Sequence, residues 1–239
     1  KQEMINNDLD FDGYRIDLAR HTRVQIPNFL QLDAAERLRA CLQNEVPWTL
    51  AERSDGVSKT ISAADYGLMD EKARAEHLRK AYERAKTQFQ FVYESYMMVA
   101  AAKEGRDPTL ILHAILEFLN SEEFIAFARW LTNDQKITHA SAQATRYRAG
   151  HFLTRHQDKD PHEDRSHAYV INLTKNWHPD WGGLLQFEND AGDVTETFTP
   201  HWNALSLFKV PQSHTVSLVA PYAIEDRIAI TGWLLRPKP

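Results

Sequence analysis

The chain has 239 residues, 43% of them hydrophobic and 26% charged, with a formal net charge of −5. A chain of that length and apolar content can bury a sizeable core in one or two domains. A mild acidic excess without a sustained run of Lys and Arg argues against a general nucleic-acid binder, and no window approaches the roughly 18 consecutive apolar residues of a membrane span.

The single cysteine, Cys41, excludes an intrachain disulfide and fits a reducing compartment, so the predicted location is the cytoplasm. Cys41 reads as a small buried residue of an early helix rather than as a reactive thiol. The N-terminus shows no positively charged leader followed by an apolar core.

Residues 1–20 are polar, with Asp8, Asp10, Asp12 and Asp17 among them, and read as an irregular lead-in. His21 to Pro27 alternates enough to form a first strand. Asp33 is a candidate N-cap for a helix running to about Asn44, with Leu38, Cys41 and Leu42 on its buried face. Trp48 to Glu52 reads as a short strand and Arg53 to Ser62, with Gly56, as a polar loop. From Asp70 to about Lys103 the composition predicts one long helix whose stripe Leu78, Tyr82, Phe89, Tyr93 and Tyr96 packs against a sheet. Asp107-Pro108 predicts a helix start for Thr109 to Leu119, and Asn120 with Glu123 gives a capping-box pattern for a helix to about Leu131.

The texture changes near Ile137. Short runs bounded by turn residues follow: Ala140 to Arg148, His167 to Thr174, Leu184 to Glu188, Val194 to Thr199, Ala204 to Lys209, His214 to Val219, and Arg227 to Leu235. Evenly spaced short strands predict a closed barrel or double sheet. The expected organisation is a single catalytic domain over 1–239, with a mostly helical N-terminal layer at 1–136 supporting a β core at 137–239. No repeat or low-complexity tract interrupts it, and nothing in the sequence reports an oligomeric state.

Within that β region, His156 and Asp158 stand two apart at a strand end and so point to one side. His214 opens another strand 58 residues later. Two histidines and a carboxylate gathered on one face of a metal form a 2-His-1-carboxylate site for non-heme Fe(II), which leaves positions open for a cosubstrate and O₂. Arg227, on the last strand, shares one parity with Ala229, Thr231 and Trp233. A guanidinium there suits the far carboxylate of a dicarboxylic keto acid. His151, His162, His167, His178 and His201 share no ligand spacing and read as solvated or hydrogen-bonded side chains. Arg155, His162 and Arg165 flank the proposed ligands and are candidates to meet a substrate carboxylate.

Residues 140–236 resemble, in order, the Fe(II)/2-oxoglutarate-dependent dioxygenase superfamily. The matching stretches are Tyr147-Arg148-Ala149-Gly150-His151-Phe152-Leu153 before His156-Gln157-Asp158, then Arg165 to Leu173 and Trp181-Gly182-Gly183-Leu184-Leu185-Gln186-Phe187. Asn203 to Phe208 precedes His214-Thr215-Val216, and Arg227 to Trp233 closes the match. The likeness is to the prolyl-hydroxylase-like branch, most of all to the subgroup of ribosomal-protein prolyl hydroxylases, which favours Arg over Lys at the position of Arg227. Residues 62–131 follow no pattern of that subgroup.

The resemblance implies a double-stranded β-helix (jelly roll) with N-terminal supporting helices. It implies Fe(II) held by His156, Asp158 and His214, and 2-oxoglutarate anchored by Arg227 with the phenol of Tyr147 donating to it. Ascorbate enters as a reductant. Asp158 stands where related halogenases carry a small residue, so the implied outcome is hydroxylation of an unactivated C–H, with succinate and CO₂ released. Trp233 reads equally as a wall beside the cosubstrate or as core. A prolyl residue of a protein or peptide is the implied substrate, with a free amino acid or small natural product as the alternative. A jelly-roll module that holds metal or keto acid without turnover is the non-enzymatic alternative, which has no need for all four of His156, Asp158, His214 and Arg227.

Overall fold

The computed structural model describes residues 4–238. Its N-terminal half runs α1 (Phe11–His21), β1 (Arg23–Ile26), α2 (Leu32–Asn44), β2 (Thr49–Ser54), β3 (Val57–Ile61), α3 (Ala63–Leu68), α4 (Glu71–Ala85), β4 (Phe91–Met97), α5 (Met98–Glu104), α6 (Leu112–Leu119) and α7 (Glu122–Thr132). The second half is nearly all strand: β5 (His139–Ala140), β6 (Gln143–Tyr147), β7 (Phe152–His156), β8 (Asp164–Asn172), β9 (Leu185–Glu188), β10 (Val194–Phe198), β11 (Leu205–Lys209), β12 (His214–Val216) and β13 (Arg227–Arg236).

The strands follow the order β1-β11-β8-β13-β6-β4-β7-β12-β9-β10, with β2 and β3 extending from β4 and β5 lying on β13. Antiparallel pairing throughout wraps this sheet into a nearly closed barrel, the double-stranded β-helix, or jelly roll. The helices cover one outer face. Ala34, Ala35, Leu38, Cys41 and Leu42 of α2 are buried in a cluster with Leu112, Ile115 and Leu119 of α6 and Ile171, Leu207 and Ile230 of the sheet. Cys41 is fully buried, and burial together with the charge of Glu45 pushes its thiol up to about 11. Among the described residues no helix is long and apolar enough to cross a membrane.

Several elements differ from the sequence expectation. Residues 11–20, expected to be irregular, are helical together with His21, expected to begin a strand: Asp10 accepts from the Asp12 amide, Phe11 packs edge-on against Phe127 at 4.9 Å, and Leu18 is buried. Tertiary contact with α7 thus supplies the stability that local propensity does not. Residues 1–3 of that lead-in lie outside the described residues. The polar stretch 53–62 is not a loop but the turn and second strand of a hairpin. Asp55 (φ 55°) and Gly56 (φ 71°) both take the left-handed conformation that a two-residue type I′ turn demands, and β3 stays exposed, which hid its period.

The single helix expected over 70–103 breaks after Ala85, and the aromatic stretch returns as β4. Phe89, Phe91 and Tyr93 alternate at the strand period of two, and such aromatics favour a pleated surface over a helix interior. Helix α6 starts at Leu112, not Thr109, because Asp107 takes φ 48° and accepts a 2.6 Å hydrogen bond from the Tyr96 hydroxyl instead of capping. At the next helix Ser121 caps, accepting from the Phe124 amide, while Asn120 ties to Ala140 of β5. The N-cap of α2 is Gln31, which leaves Asp33 in the first turn, where its charge suits the helix dipole. The N-terminal half is therefore more than a helical layer. It contributes β1 to β4, and β4 sits between β6 and β7 in the barrel wall.

Candidate metal and keto-acid site

Strand pairing brings the two histidines together. His156 ends β7 and His214 opens β12, and the two residues are direct partners in the antiparallel ladder, with ring centroids 4.1 Å apart. Asp158 is the second residue beyond β7 and has φ 64°, a conformation that Asp tolerates better than most side chains. That turn swings its carboxylate back between the rings: Oδ1 lies 3.1 Å from His156 Nε2 and Oδ2 lies 3.2 Å from His214 Nε2. The three ligand atoms lie within 4.8 Å of one another, the one such group among the described residues.

The other ring nitrogens fix the tautomer. His156 Nδ1 meets the Thr154 carbonyl at 2.9 Å and His214 Nδ1 meets the Gln212 carbonyl at 2.7 Å. A carbonyl only accepts, so each neutral ring carries its proton on Nδ1 and turns the Nε2 lone pair toward Asp158. Burial opposes ionisation of Asp158, but when the two rings carry a second proton, on Nε2, the hydrogen bonds and positive charge of His156 and His214 outweigh it and hold the carboxyl well below the usual carboxylate range. Two imidazole lone pairs and a carboxylate converging on one point suit a divalent cation. Phe208, edge-on to His214 at 4.7 Å, and Phe89, 5.6 Å from His156, keep both rings in place.

Arg227 lies in the same cavity, which encloses about 520 Å³. The residue is 3% exposed, its Nε has no hydrogen-bond partner, and among the described residues no carboxylate pairs with it. Burial lowers its pKa, with Tyr147 partly opposing, yet a guanidinium starts so high that the charge persists. A buried cation without an anion is costly unless a ligand completes it. This orphaned guanidinium beside a metal-type triad therefore fits a carboxylate-bearing cosubstrate. Gly183 allows the approach: at φ 64°, a Cβ there would stand 3.0 Å from Arg227 Cδ and 3.1 Å from the Trp177 ring.

Tyr147 is buried opposite Arg227, and its ring stacks on Tyr93 at 5.0 Å with 19° between planes. Burial raises the pKa of both phenols, so each remains a neutral donor at ordinary pH. Thr231 and Trp233 share the cavity wall. Arg165 stacks 3.5 Å over the Trp233 ring, donates to the Asp158 carbonyl at 2.9 Å and pairs with Glu163. Arg155 instead pairs with Glu188, and His162 is exposed. His151 and His167 are buried away from the triad. Sequence reasoning missed the β4 contribution, Phe89, Phe91 and Tyr93, and the hairpin contribution, Arg53 and Ser58. The alternation Phe89, Phe91, Tyr93 was the available signal.

Residues 142–235 match the sequence model of the 2OG-Fe(II) oxygenase superfamily. They form a 2OG-Fe(II) oxygenase domain. Enzymes of that superfamily are non-heme iron dioxygenases that use Fe(II) and 2-oxoglutarate, and the match covers 94 of the 239 residues of this chain. No curated protein sequence matches the chain. Among solved structures the chain is similar to a prolyl-4-hydroxylase of Pseudomonas putida, with TM-score 0.55 and 17% identity over 95% of this chain and 99% of that one. It is similar to a 2OG-Fe(II) oxygenase family oxidoreductase of Burkholderia pseudomallei, with TM-score 0.60 and 15% identity over 98% and 95%. A Trichoplax adhaerens prolyl hydroxylase, solved with a hypoxia inducible factor peptide fragment, gives TM-score 0.64 and 17% identity over 95% and 89%. At such identities these likenesses speak for the fold.

Proposed function

We propose that the oxygenase hydroxylates an unactivated C–H of a prolyl residue in a protein or peptide, with 1–239 acting as one catalytic domain. His156, Asp158 and His214 hold Fe(II), and Arg227 holds the far carboxylate of 2-oxoglutarate with the Tyr147 phenol as a further donor. The observation that carries this reading is the unpaired, buried guanidinium of Arg227 in the same cavity as the His156/Asp158/His214 triad.

When bound, iron and the keto acid supply O₂ activation, with 2-oxoglutarate decarboxylated to succinate and one oxygen atom delivered to the C–H. The chain's own work is orientation and exclusion of water. The Thr154 and Gln212 carbonyls aim the two Nε2 lone pairs, Arg165 braces the backbone at Asp158, and Phe89, Phe91 and Leu153 give the cavity an apolar side against which a pyrrolidine ring can lie. A groove lined by Pro161, Glu163 and Pro211 shares Lys159, Asp160 and Arg165 with the main cavity, and this continuity suits an extended peptide. The Trichoplax neighbour, solved with a peptide, agrees with that substrate class. The lone buried thiol of Cys41 fits action in a reducing compartment, the cytoplasm.

The test is succinate formation from 2-oxoglutarate under air with Fe(II), and ascorbate as reductant, in wild type, His156→Ala and Arg227→Ala. Prolyl peptides, free amino acids and no substrate form the three arms. Iron-dependent succinate stimulated by prolyl peptides and lost in both variants is the expected result. Stimulation by a free amino acid alone would move the substrate class, and bound iron without succinate in any arm would leave a binding module.

A further inference from the structure

The walls of the iron and keto-acid cavity have a second side. On β4, Phe91 and Tyr93 face the main cavity while Val92 and Glu94 face away. On β6 and just beyond it, Tyr147 faces in while Arg146 and Arg148 face away. Behind these strands, against α4 and residues 223–226, lies a separate cavity of about 350 Å³. One part of its wall is apolar, from Leu50, Leu78, Val92 and Ile224, and another carries Arg74 and Arg148, with the carboxylate of Asp226 beside Arg148.

The local acids are mostly matched already. Glu94, fully buried, takes hydrogen bonds from the Tyr66 hydroxyl and from Arg146 Nε, and Glu52 pairs with His77 at 3.0 Å. Arg148 reaches Glu94 and Asp226 only at 3.7 Å each. Arg74 meets no carboxylate within 4.0 Å among the described residues. It donates one bond, to the Tyr66 carbonyl at 3.3 Å, and its Nε is buried without a partner. The arginines are felt at His151 in the same wall, whose pKa falls to about 3 through burial first and then through repulsion by Arg148, Arg146 and Arg74.

We propose that this second cavity binds a small organic carboxylate, its anionic head between Arg74 and Arg148 and its aliphatic body against Leu50, Leu78 and Val92. An apolar pocket with a few convergent polar groups is the usual form of a small-molecule site. Guanidinium groups with free donors are well matched to a carboxylate. The assignment stands apart from the reading of the main cavity, since the two sets of lining residues share no member.

The test is calorimetric titration of the metal-free full chain with hexanoate, glutarate and inorganic phosphate, in wild type, Arg74→Gln, Ile224→Asp and Arg227→Met. The expected result is saturable binding of hexanoate or glutarate with Kd of about 1 mM or tighter. It should persist in Arg227→Met and weaken at least about tenfold in Arg74→Gln, which removes a charge-assisted bond. Ile224 is 83% exposed, so Ile224→Asp adds a repelling charge at the rim without touching the core, and it decides the matter should Arg74→Gln misfold. The proposal is overturned if neither acid binds, if phosphate alone binds, if Arg74→Gln and Ile224→Asp leave affinity unchanged, or if Arg227→Met abolishes binding, which would return the acid to the main cavity.

Discussion

Arg227 stands directly across the β6–β13 ladder from Tyr147, and its guanidinium carbon lies 5.1 Å from the centre of the phenol ring. Pairing through the backbone ladder means that neither side chain depends on a flexible loop for its place. It also explains how a cation can stay buried: the ring face is the partner available to it until a carboxylate arrives. If Arg227 holds a keto-acid carboxylate as proposed, local stability is given up for that site, and the cost is measurable.

Replacing that cation separates the two effects. Arg227→Met is expected to raise the KM for 2-oxoglutarate about 100-fold or more, because a charge-assisted bidentate contact is lost in a water-poor site. In the absence of any keto acid the same variant should be more stable than wild type, by about 1–3 kcal/mol, since it removes a desolvated group with an unsatisfied Nε. Succinate kinetics and urea unfolding read the two sides. A variant that loses stability and keeps its KM would assign Arg227 to the core.

Gly183 should prove nearly as sensitive. A Cβ at this position must cope with φ 64° and with Arg227 Cδ at 3.0 Å and the Trp177 ring at 3.1 Å. Gly183→Ala is expected to destabilise by about 1–2 kcal/mol from backbone strain. By pushing the Arg227 stem it should also raise the KM for 2-oxoglutarate with metal affinity unchanged. Equal losses of metal and keto-acid binding would point instead to general unfolding.

The barrel strands and the triad were legible because their signals are local: alternation over short runs, a His-x-Asp at a strand end, a lone His opening another. Arg227 was legible through the parity of its strand. What was hidden is what the N-terminal half adds to the same barrel. Phe89, Phe91 and Tyr93 lay downstream of a strong helical pattern that ends at Ala85 without a Gly or Pro to mark it, so their alternation was absorbed into a helix. The exposed strand β3 carries no buried face to betray its period, although Asp55-Gly56 is a hairpin signature. The pairing of β4 between β6 and β7 is a long-range choice that no window of sequence contains.

Metal should behave as a folding ligand. A divalent ion that binds only the native triad stabilises by RT ln(1 + [L]/Kd), about 2.7 kcal/mol at 100 times Kd. Mn(II) or Fe(II) is therefore expected to raise the thermal midpoint of wild type, chelator to reverse it, and His214→Ala to abolish the shift. A shift of the same size in His214→Ala would place the ion elsewhere.

Two buried histidines away from the triad set an acid limit on stability. Burial lowers the pKa of His151 to about 3, helped by repulsion from Arg148, Arg146 and Arg74 and opposed by a backbone bond to Arg146. Burial likewise lowers His167 to about 4, with Asp134 opposing and Lys209 and Arg236 assisting. An unfolded histidine titrates near 6.5. Between that value and the folded one the unfolded chain binds more protons, so stability rises with pH and is fully present only above about 6.5. Going from pH 7 to pH 5, each histidine should withdraw about 2 kcal/mol. Below about pH 4 for His167 and pH 3 for His151 both states are protonated and the loss stops. Urea unfolding at the two pH values, in wild type and in His151→Gln with His167→Gln, measures this directly. The double variant should start less stable at pH 7, having lost the 3.0 Å bond from the Arg148 amide to His151 Nδ1, yet fall much less on acidification. An equal fall in both proteins would assign the acid sensitivity to the carboxylates instead.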